Sequence, residues 1–224
     1  MTAASIEALA ALPTVQAAIE RPGEDLVRRA SKLPVATLHE SYGRAGALPY
    51  EIKPVSQQMR LCGPAITVHS PGGDNLWLHR ALYLAAPGDV LVVHVSGAVE
   101  FGYWGEIMST AAQVRHLGGL VIDGCVRDAD LLEDIGFPVF SAGLCIRGTI
   151  KDKEARGWIN HPVRMGNITI CAGDLVAGDR DGLVSIASRS VAEVVSNAEA
   201  REAKEASVIQ RLHAGERTLE VYNF

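Results

Sequence analysis

The segment Val90-Leu91-Val92-Val93-His94-Val95 constrains the fold of this chain more than any other. A strand that alternates apolar and polar residues can leave one face in water. This one cannot, because five of its six side chains are apolar. It belongs inside a sheet covered on both faces, the habit of parallel sheets with helical crossovers. Two more apolar runs repeat the signal, Ala65-Ile66-Thr67-Val68-His69 and Leu120-Val121-Ile122. Between them the spacing predicts a helix from Asp74 or Asn75 to about Ala85, with Trp77, Ala81 and Leu84 on one side. A second helix is predicted from Gly105 to His116. The breaks fall at Ser70-Pro71-Gly72-Gly73, Pro87-Gly88-Asp89, Gly118-Gly119 and Asp123-Gly124. A short helix over 128–135 and a short strand over 137–140 complete about three alternations within 64–140. That is an α/β organisation with crossover connections.

The flanks read differently. Residues 5–20 are predicted helical, with Pro13 interrupting the pattern, followed by helices near 24–31 and 37–42 and an irregular stretch over 46–62. After residue 160, short strands are predicted at Val163, 168–171, 175–176 and 183–186, separated by Ala172-Gly173-Asp174 and Asp179-Arg180-Asp181-Gly182. A polar helix follows over 190–214, with a narrow stripe of Val191, Val194, Val195, Ala198, Val208 and Leu212, stopped by Gly215. The expectation is one domain over 1–224, with N-terminal helices within 1–31 and a C-terminal helix that packs on a neighbouring subunit.

Composition excludes several classes. A chain of 224 residues buries on the order of 70% of its unfolded surface and needs no disulfide or structural metal to fold. A net charge of −5 gives no global attraction for nucleic acid. The longest stretch free of Asp, Glu, Lys and Arg, residues 61–73, falls short of the roughly 18 residues a membrane span needs. No cationic start precedes an apolar run, and Glu7 interrupts the N-terminal pattern, so a cytoplasmic protein is expected. Cys62, Cys125, Cys145 and Cys171 form no CxxC pair and are expected to be buried thiols. The seven histidines show no zinc-site spacing, and Asp174, Asp179 and Asp181 read as turn residues.

The chemistry concentrates in Tyr103-Trp104-Gly105-Glu106-Ile107-Met108 and in Gly124-Cys125-Val126-Arg127-Asp128. Glu106 opens one predicted helix, and 20 positions later Arg127 and Asp128 open the next. Both sites lie where ligands bind in open α/β sheets, beyond the carboxyl ends of the strands. The unpaired amides near Gly105, Glu106, Ile107 and Met108 suit a carboxylate, and Gly105 lets it approach the backbone. Two carboxylates in one cleft call for a cation between them, and Mg²⁺ is often held by only one or two. Physics alone leaves a plainer alternative open, since first-turn acids complement the helix dipole and Arg–Asp neighbours are commonly solvated. Lys151, in the loop after Gly148-Thr149-Ile150, could contact substrate or form a Schiff base, and His39 could meet a distal carboxylate.

At these residues the chain resembles the metal-dependent pyruvate aldolases related to the regulator of ribonuclease activity A. The likeness also takes in Gly72-Gly73-Asp74-Asn75, Ala86-Pro87-Gly88-Asp89, Gly118 to Asp123, and Gly173-Asp174 with Asp179 to Gly182. It implies a three-layer β/β/α sandwich resembling the swivelling phosphohistidine domain, assembled as a trimer or hexamer with sites between subunits. It implies Asp128 as direct ligand of Mg²⁺ or Mn²⁺, Glu106 holding the ion through water, and Arg127 on the 2-oxo oxygen. The amides of Ile107 and Met108 would take the pyruvyl carboxylate. An acidic residue of a neighbouring C-terminal helix, Glu205 or else Glu202, would complete the shell. The implied reaction is retro-aldol cleavage of 4-carboxy-4-hydroxy-2-oxoadipate or 4-hydroxy-4-methyl-2-oxoglutarate through a metal-stabilised pyruvate enolate. Oxaloacetate decarboxylation would be a side activity, in the setting of aromatic-acid catabolism. The rivals are a non-catalytic ribonuclease regulator and a dedicated oxaloacetate decarboxylase. A methyltransferase reading finds no glycine-rich motif for a methyl donor.

Overall fold

A computed structural model describes residues 3–224. The helices are α1 (Ala3–Ala10), α2 (Glu24–Ala30), α3 (Val35–Ser41), α4 (Leu76–Leu84), α5 (Glu106–Val114), α6 (Ala129–Ile135), α7 (Val191–His213) and α8 (Thr218–Val221). The strands are β1 (Lys53–Pro54), β2 (Leu61–His69), β3 (Val90–His94), β4 (Gly119–Val126), β5 (Val139–Leu144), β6 (Trp158–Ile159), β7 (Val163–Met165), β8 (Ile168–Ile170), β9 (Leu175–Gly178) and β10 (Leu183–Ile186).

The main sheet runs β1-β5-β4-β3-β2-β9-β10, with β6 on the far end of β2. β2, β3, β4 and β5 are mutually parallel, and β1, β6 and β9 join them antiparallel. Val90 to Val93 are all fully buried, as the apolar run requires. The β7–β8 hairpin lies against β2 and β3, and α4 packs on the same two strands. Sheet, second β layer and helices give the expected α/β architecture. A second core forms where α2, α3 and α7 cover β9 and β10, around Leu38, Ile186, Val191, Val195 and Ala198. Only the first half of α7 is buried there; beyond it the helix is largely exposed. Among the described residues no helix is long and apolar enough to cross a membrane.

Register places His69 beside His94, and Val93 beside Ile122, so the carboxyl ends of β2, β3 and β4 come together. His94 Nδ1 meets Asp123 Oδ2 at 2.5 Å, while Asp123 Oδ1 accepts the Val95 amide at 2.9 Å. This carboxylate raises the pKa of His94 against the opposing effect of burial. The His69 ring stacks on Trp158 at 3.6 Å, and burial lowers its pKa, with His94 adding to the effect. Elsewhere, buried Asp89 takes both Arg21 Nε and Nη2 at 2.8 Å and the Ala86 amide at 2.7 Å.

Three expectations need correction. The helix over 5–20 stops at Ala10, because Pro13 cannot continue it. The chain then extends, Val15 bridges to Ile159, and the Gln16 amide donates to Ile159 O at 3.1 Å. Residues 1–2 of the predicted N-terminal region lie outside the described residues. Of the four free cysteines only Cys125 is buried; Cys171 is exposed in the turn after β8. Cys62 is half-buried, yet its enclosed sulfur pushes the thiol pKa up to about 12. Finally, Asp128 is not the first helical residue but precedes α6 in a left-handed conformation. The turn assignment of the later acids holds: Asp174 accepts the Cys171 and Ser188 amides, and Asp179 those of Val35 and Asp181.

Candidate active site

A cleft of about 440 Å³ opens beyond the carboxyl ends of β3, β4 and β5. Gly105, Glu106, Ile107, Met108, Arg127 and Asp128 all line it, as does Lys151. The topology brings them together because each follows a parallel strand of one sheet. The two main segments are stitched to each other: the Tyr103 amide donates to Cys125 O at 3.1 Å, and the Arg127 amide to Trp104 O at 2.9 Å. A register shift between β4 and β5 after Ile122 bends the chain just before Arg127. Glycine at 124 admits this, since a Cβ there would press on the Tyr103 ring at 2.9 Å.

Asp128 is the pivot. Its backbone is left-handed, φ 61° and ψ 39°, a conformation that Asp tolerates better than most residues. Its side chain makes no cap bond to its own helix. Instead Oδ2 accepts the Glu106 amide of α5 at 3.1 Å, where the helix dipole favours negative charge. Arg127 Nε stands 3.7 Å from the same oxygen, an open ion pair with both partners partly solvated. Ser109 N–H makes the first α5 bond, to Gly105 O at 3.0 Å. Among the described residues the Ile107 and Met108 amides have no acceptor, as expected of a helix's first turn.

Of the facing wall, Asn75 and His79 had no site role assigned from the sequence. Asn75 and His79, one turn apart at the start of α4, line the cleft with Tyr103, Trp104 and Thr149. Asn75 belonged to the Gly72-Gly73-Asp74-Asn75 motif of the family likeness without a role assigned to it, whereas His79 had no signal beyond its place on the predicted helix, four residues after Asn75. Asn75 Nδ2 donates to Tyr103 O at 2.9 Å, while its buried Oδ1 has no partner. Tyr103 Oη accepts the Gly73 amide at 2.8 Å and donates to Ala98 O at 2.6 Å. Trp104, fully enclosed, donates to Ser109 Oγ at 2.7 Å and stacks on Phe137. Burial lowers the pKa of His79, and the charge of Lys151 lowers it further against a small opposing effect of Asp74.

Other sequence candidates fall elsewhere in this chain. His39 sits on α3, which packs against α7 and β10, away from the cleft lining. Glu205 pairs with Arg201 on its own helix at 2.7 Å, and Glu202 accepts Thr37 Oγ1 at 2.5 Å. Among the described residues no three His, Cys, Asp or Glu side chains cluster as a closed metal cage. A cage is not what this cleft's donors suit. Two carboxylates, Glu106 and Asp128, fit a hard ion that keeps most of its shell as water and ligand oxygen.

The sequence profile described as "RraA-like: Aldolase/RraA" matches residues 25–185. The chain is 31% identical over 179 residues to a Halalkalibacterium halodurans protein named "Putative 4-hydroxy-4-methyl-2-oxoglutarate aldolase", covering 80% of this chain and 84% of that one. The solved structure of an uncharacterized protein from Pseudomonas syringae pv. tomato superposes with a TM-score of 0.76 at 26% identity, over 91% of this chain and 100% of that one. Streptomyces coelicolor RraAS2, described as an unusual member of the RNase ES inhibitor RraA protein family, superposes with a TM-score of 0.72. Its 24% identity, over 87% of this chain and 99% of that one, speaks for the fold alone. With the profile spanning most of its length and a relative this similar over most of both chains, the chain belongs to the RraA-like (Aldolase/RraA) family.

Proposed function

We propose that this protein is a divalent-metal-dependent lyase. In this reading it cleaves 4-hydroxy-2-oxo acids such as 4-carboxy-4-hydroxy-2-oxoadipate and 4-hydroxy-4-methyl-2-oxoglutarate to pyruvate and a second 2-oxo acid, with oxaloacetate decarboxylation as a side activity. One observation carries it: Glu106, Arg127 and Asp128 share a cleft with two free amides at the α5 N-terminus.

Asp128 would hold Mg²⁺ or Mn²⁺ directly and Glu106 through water. When bound, the ion supplies Lewis acidity and lowers the proton affinity of its water. The amides of Ile107 and Met108 bind the carboxylate of the pyruvyl half, and the α5 dipole favours it there. Arg127 donates to the 2-oxo oxygen. As the C3–C4 bond breaks, the C4 hydroxyl gives its proton to a water in the cleft, C4 becomes a carbonyl, and the enolate left on the pyruvyl half takes a proton from water at C3 to give pyruvate. The bonding pair moves toward the 2-oxo oxygen, where the Arg127 charge opposes its cost. Trp104 and Tyr103, both buried, line one side of the cleft.

The cleft rim supports a homo-oligomer, a trimer or hexamer, with sites completed between subunits. Ile107, Leu144, Ile146 and Ile150 leave 61–94% of their surface exposed around it. A second copy would cover such a rim, and its Glu205 is the first choice to complete the shell, with Glu202 next. The test is pyruvate release from 4-carboxy-4-hydroxy-2-oxoadipate by purified protein, first with EDTA and then with Mg²⁺ restored. Release that stops with EDTA and returns with Mg²⁺ is expected. No release under any condition, with oxaloacetate also untouched, overturns the enzyme reading in favour of a regulator. Decarboxylation of oxaloacetate without aldol cleavage identifies a dedicated decarboxylase.

A further inference from the structure

We propose that His69 and His94 form a second metal site, outside the Glu106–Asp128 cleft, that takes a borderline transition-metal dication such as Zn²⁺ through the Nε2 atom of each ring. The site does not depend on the reading of the cleft as a 2-oxo acid site, since the cleft lining includes neither ring.

The sheet supplies the pair. His69 ends β2, His94 ends β3, and the parallel register sets the two residues side by side. Register partners point their side chains to the same side, so both rings stand on one face of the sheet. Their centroids are 5.5 Å apart and their planes are tilted by 40°. A tetrahedral ion about 2.1 Å from one nitrogen of each ring holds the ring centres roughly 5 Å apart. The observed spacing is close to that.

Each ring has one nitrogen to offer. His94 Nδ1 is taken by Asp123 Oδ2 at 2.5 Å, while among the described residues Nε2 has no hydrogen-bond partner and is not enclosed. A carboxylate on the far nitrogen fixes the ring and raises the basicity of the near one, as it does behind metal-bound histidines. Asp123 is itself held, by the Val95 amide at 2.9 Å. His69 Nδ1 is enclosed, which leaves Nε2 as the atom that can face a ligand. Trp158 braces the His69 ring, stacked on it at 3.6 Å. Ser96 Oγ lies 3.1 Å from His69 Nε2 and also donates to Ser70 O at 3.2 Å. The hydroxyl therefore keeps an acceptor when Nε2 is given to an ion. Both rings and Asp123 are half-buried and Ser96 is exposed, so the site opens to solvent.

Ligand type decides the ion. Imidazole nitrogen suits Zn²⁺, Ni²⁺ and Cu²⁺, whereas Mg²⁺ takes oxygen. Glu106 and Asp128 offer oxygen alone, so the two sites sort ions by their chemistry. Two protein ligands leave the other positions of the ion to water, and among the described residues no third side chain completes a cage. An ion here bridges the ends of β2 and β3 and, through Asp123, ties in β4. Because it binds the folded chain only, it raises the melting temperature.

The experiment is calorimetric titration of the full-length protein with Zn²⁺ at about pH 7.5, with Mg²⁺ in excess to occupy the cleft. About one equivalent is expected to bind and to raise the melting temperature. His69→Gln and His94→Gln are each expected to weaken Zn²⁺ at least about 100-fold, and Asp123→Asn about tenfold, as the loss of an orienting partner does. Asp128→Asn and Cys171→Ser are expected to bind Zn²⁺ as the wild type does, since neither the cleft nor the exposed thiol takes part. Cu²⁺ on the wild type supplies a readout that no folding defect can confound: its electron paramagnetic resonance spectrum is expected to show coupling to imidazole nitrogen. Wild-type affinity in a folded His69→Gln or His94→Gln overturns the site. So does loss of Zn²⁺ in Asp128→Asn or Cys171→Ser, a Cu²⁺ spectrum without nitrogen coupling, or no Zn²⁺ binding to the wild type.

Discussion

Gly105 and the carboxylate of Asp128 occupy adjoining space: a Cβ at position 105 would overlap Asp128 Oδ2. The backbone at Gly105 is extended, φ −165°, so any residue could adopt it and the requirement is one of room. Gly105→Ala is therefore expected to push the carboxylate off the Glu106 amide. On the proposed chemistry, a displacement of that kind costs about 100-fold in turnover. Thermal melting should move little. Full activity in the alanine variant, measured as pyruvate release, would show that the Asp128 position does not matter to the reaction.

Asp128 itself can be changed without disturbing its backbone, because Asn also tolerates the left-handed region. Asp128→Asn is expected to keep the fold and lose Mg²⁺-dependent turnover, while Asp128→Ala adds backbone strain of about 1 kcal/mol. Calorimetric Mg²⁺ titration of Asp128→Asn with pyruvate present checks the ligand assignment. Wild-type Mg²⁺ affinity would remove Asp128 from the metal's direct shell.

Arg127 pairs only loosely with Asp128, so its loss should not unfold the chain. Arg127→Ala is expected to weaken pyruvate binding and lower turnover together, since the guanidinium would serve both ground state and enolate. Arg127→Lys should restore little, because a point charge does not replace the planar fork. Calorimetric titration with pyruvate and steady-state kinetics provide the two readouts.

The His94–Asp123 pair predicts a pH dependence of stability. Asp123 raises the folded pKa of His94 above its ordinary value of about 6.5. Its contribution is then fully present below about pH 6.5 and lost as pH rises through the folded value. His69 opposes it: its lowered pKa makes the neutral ring the favoured form, with stability lost as pH falls. Asp123→Asn removes the first effect while leaving His69 in place. Urea unfolding at about pH 6 and about pH 8 should show the variant losing less stability across that interval than the wild type. Equal slopes would mean that the pair does not titrate as its geometry implies.

Asp89 tests the frame of the fold. It is 1% exposed and carries two bonds from Arg21, whose side chain is one-third exposed. Arg21→Met would leave a buried charge with the Ala86 amide but no cation. The expected loss is about 2 kcal/mol in urea unfolding, less than for a fully buried pair because water reaches the arginine. A loss under about 0.5 kcal/mol would show that water replaces the guanidinium without cost.

By itself the sequence determined the α/β class and most of the strand–helix alternation, and it put Glu106, Arg127 and Asp128 at the starts of neighbouring helices as candidates, which the structure brings to one cleft. These are local signals: apolar runs with a period, helix-starting residues, and breakers at Gly and Pro. Pro13 marked a break whose outcome was not local, since an extended course for residues 14–16 needed β6 as a partner. Only the tertiary structure decided that Gly105 is needed for room at Asp128, that the Asp128 carboxylate turns to a neighbouring helix, and that Asn75, His79 and Lys151 face them across one cleft. Nothing in a linear spacing encodes these relations. They arise because parallel strands carry their following loops to the same end of the sheet, so residues far apart in sequence meet there.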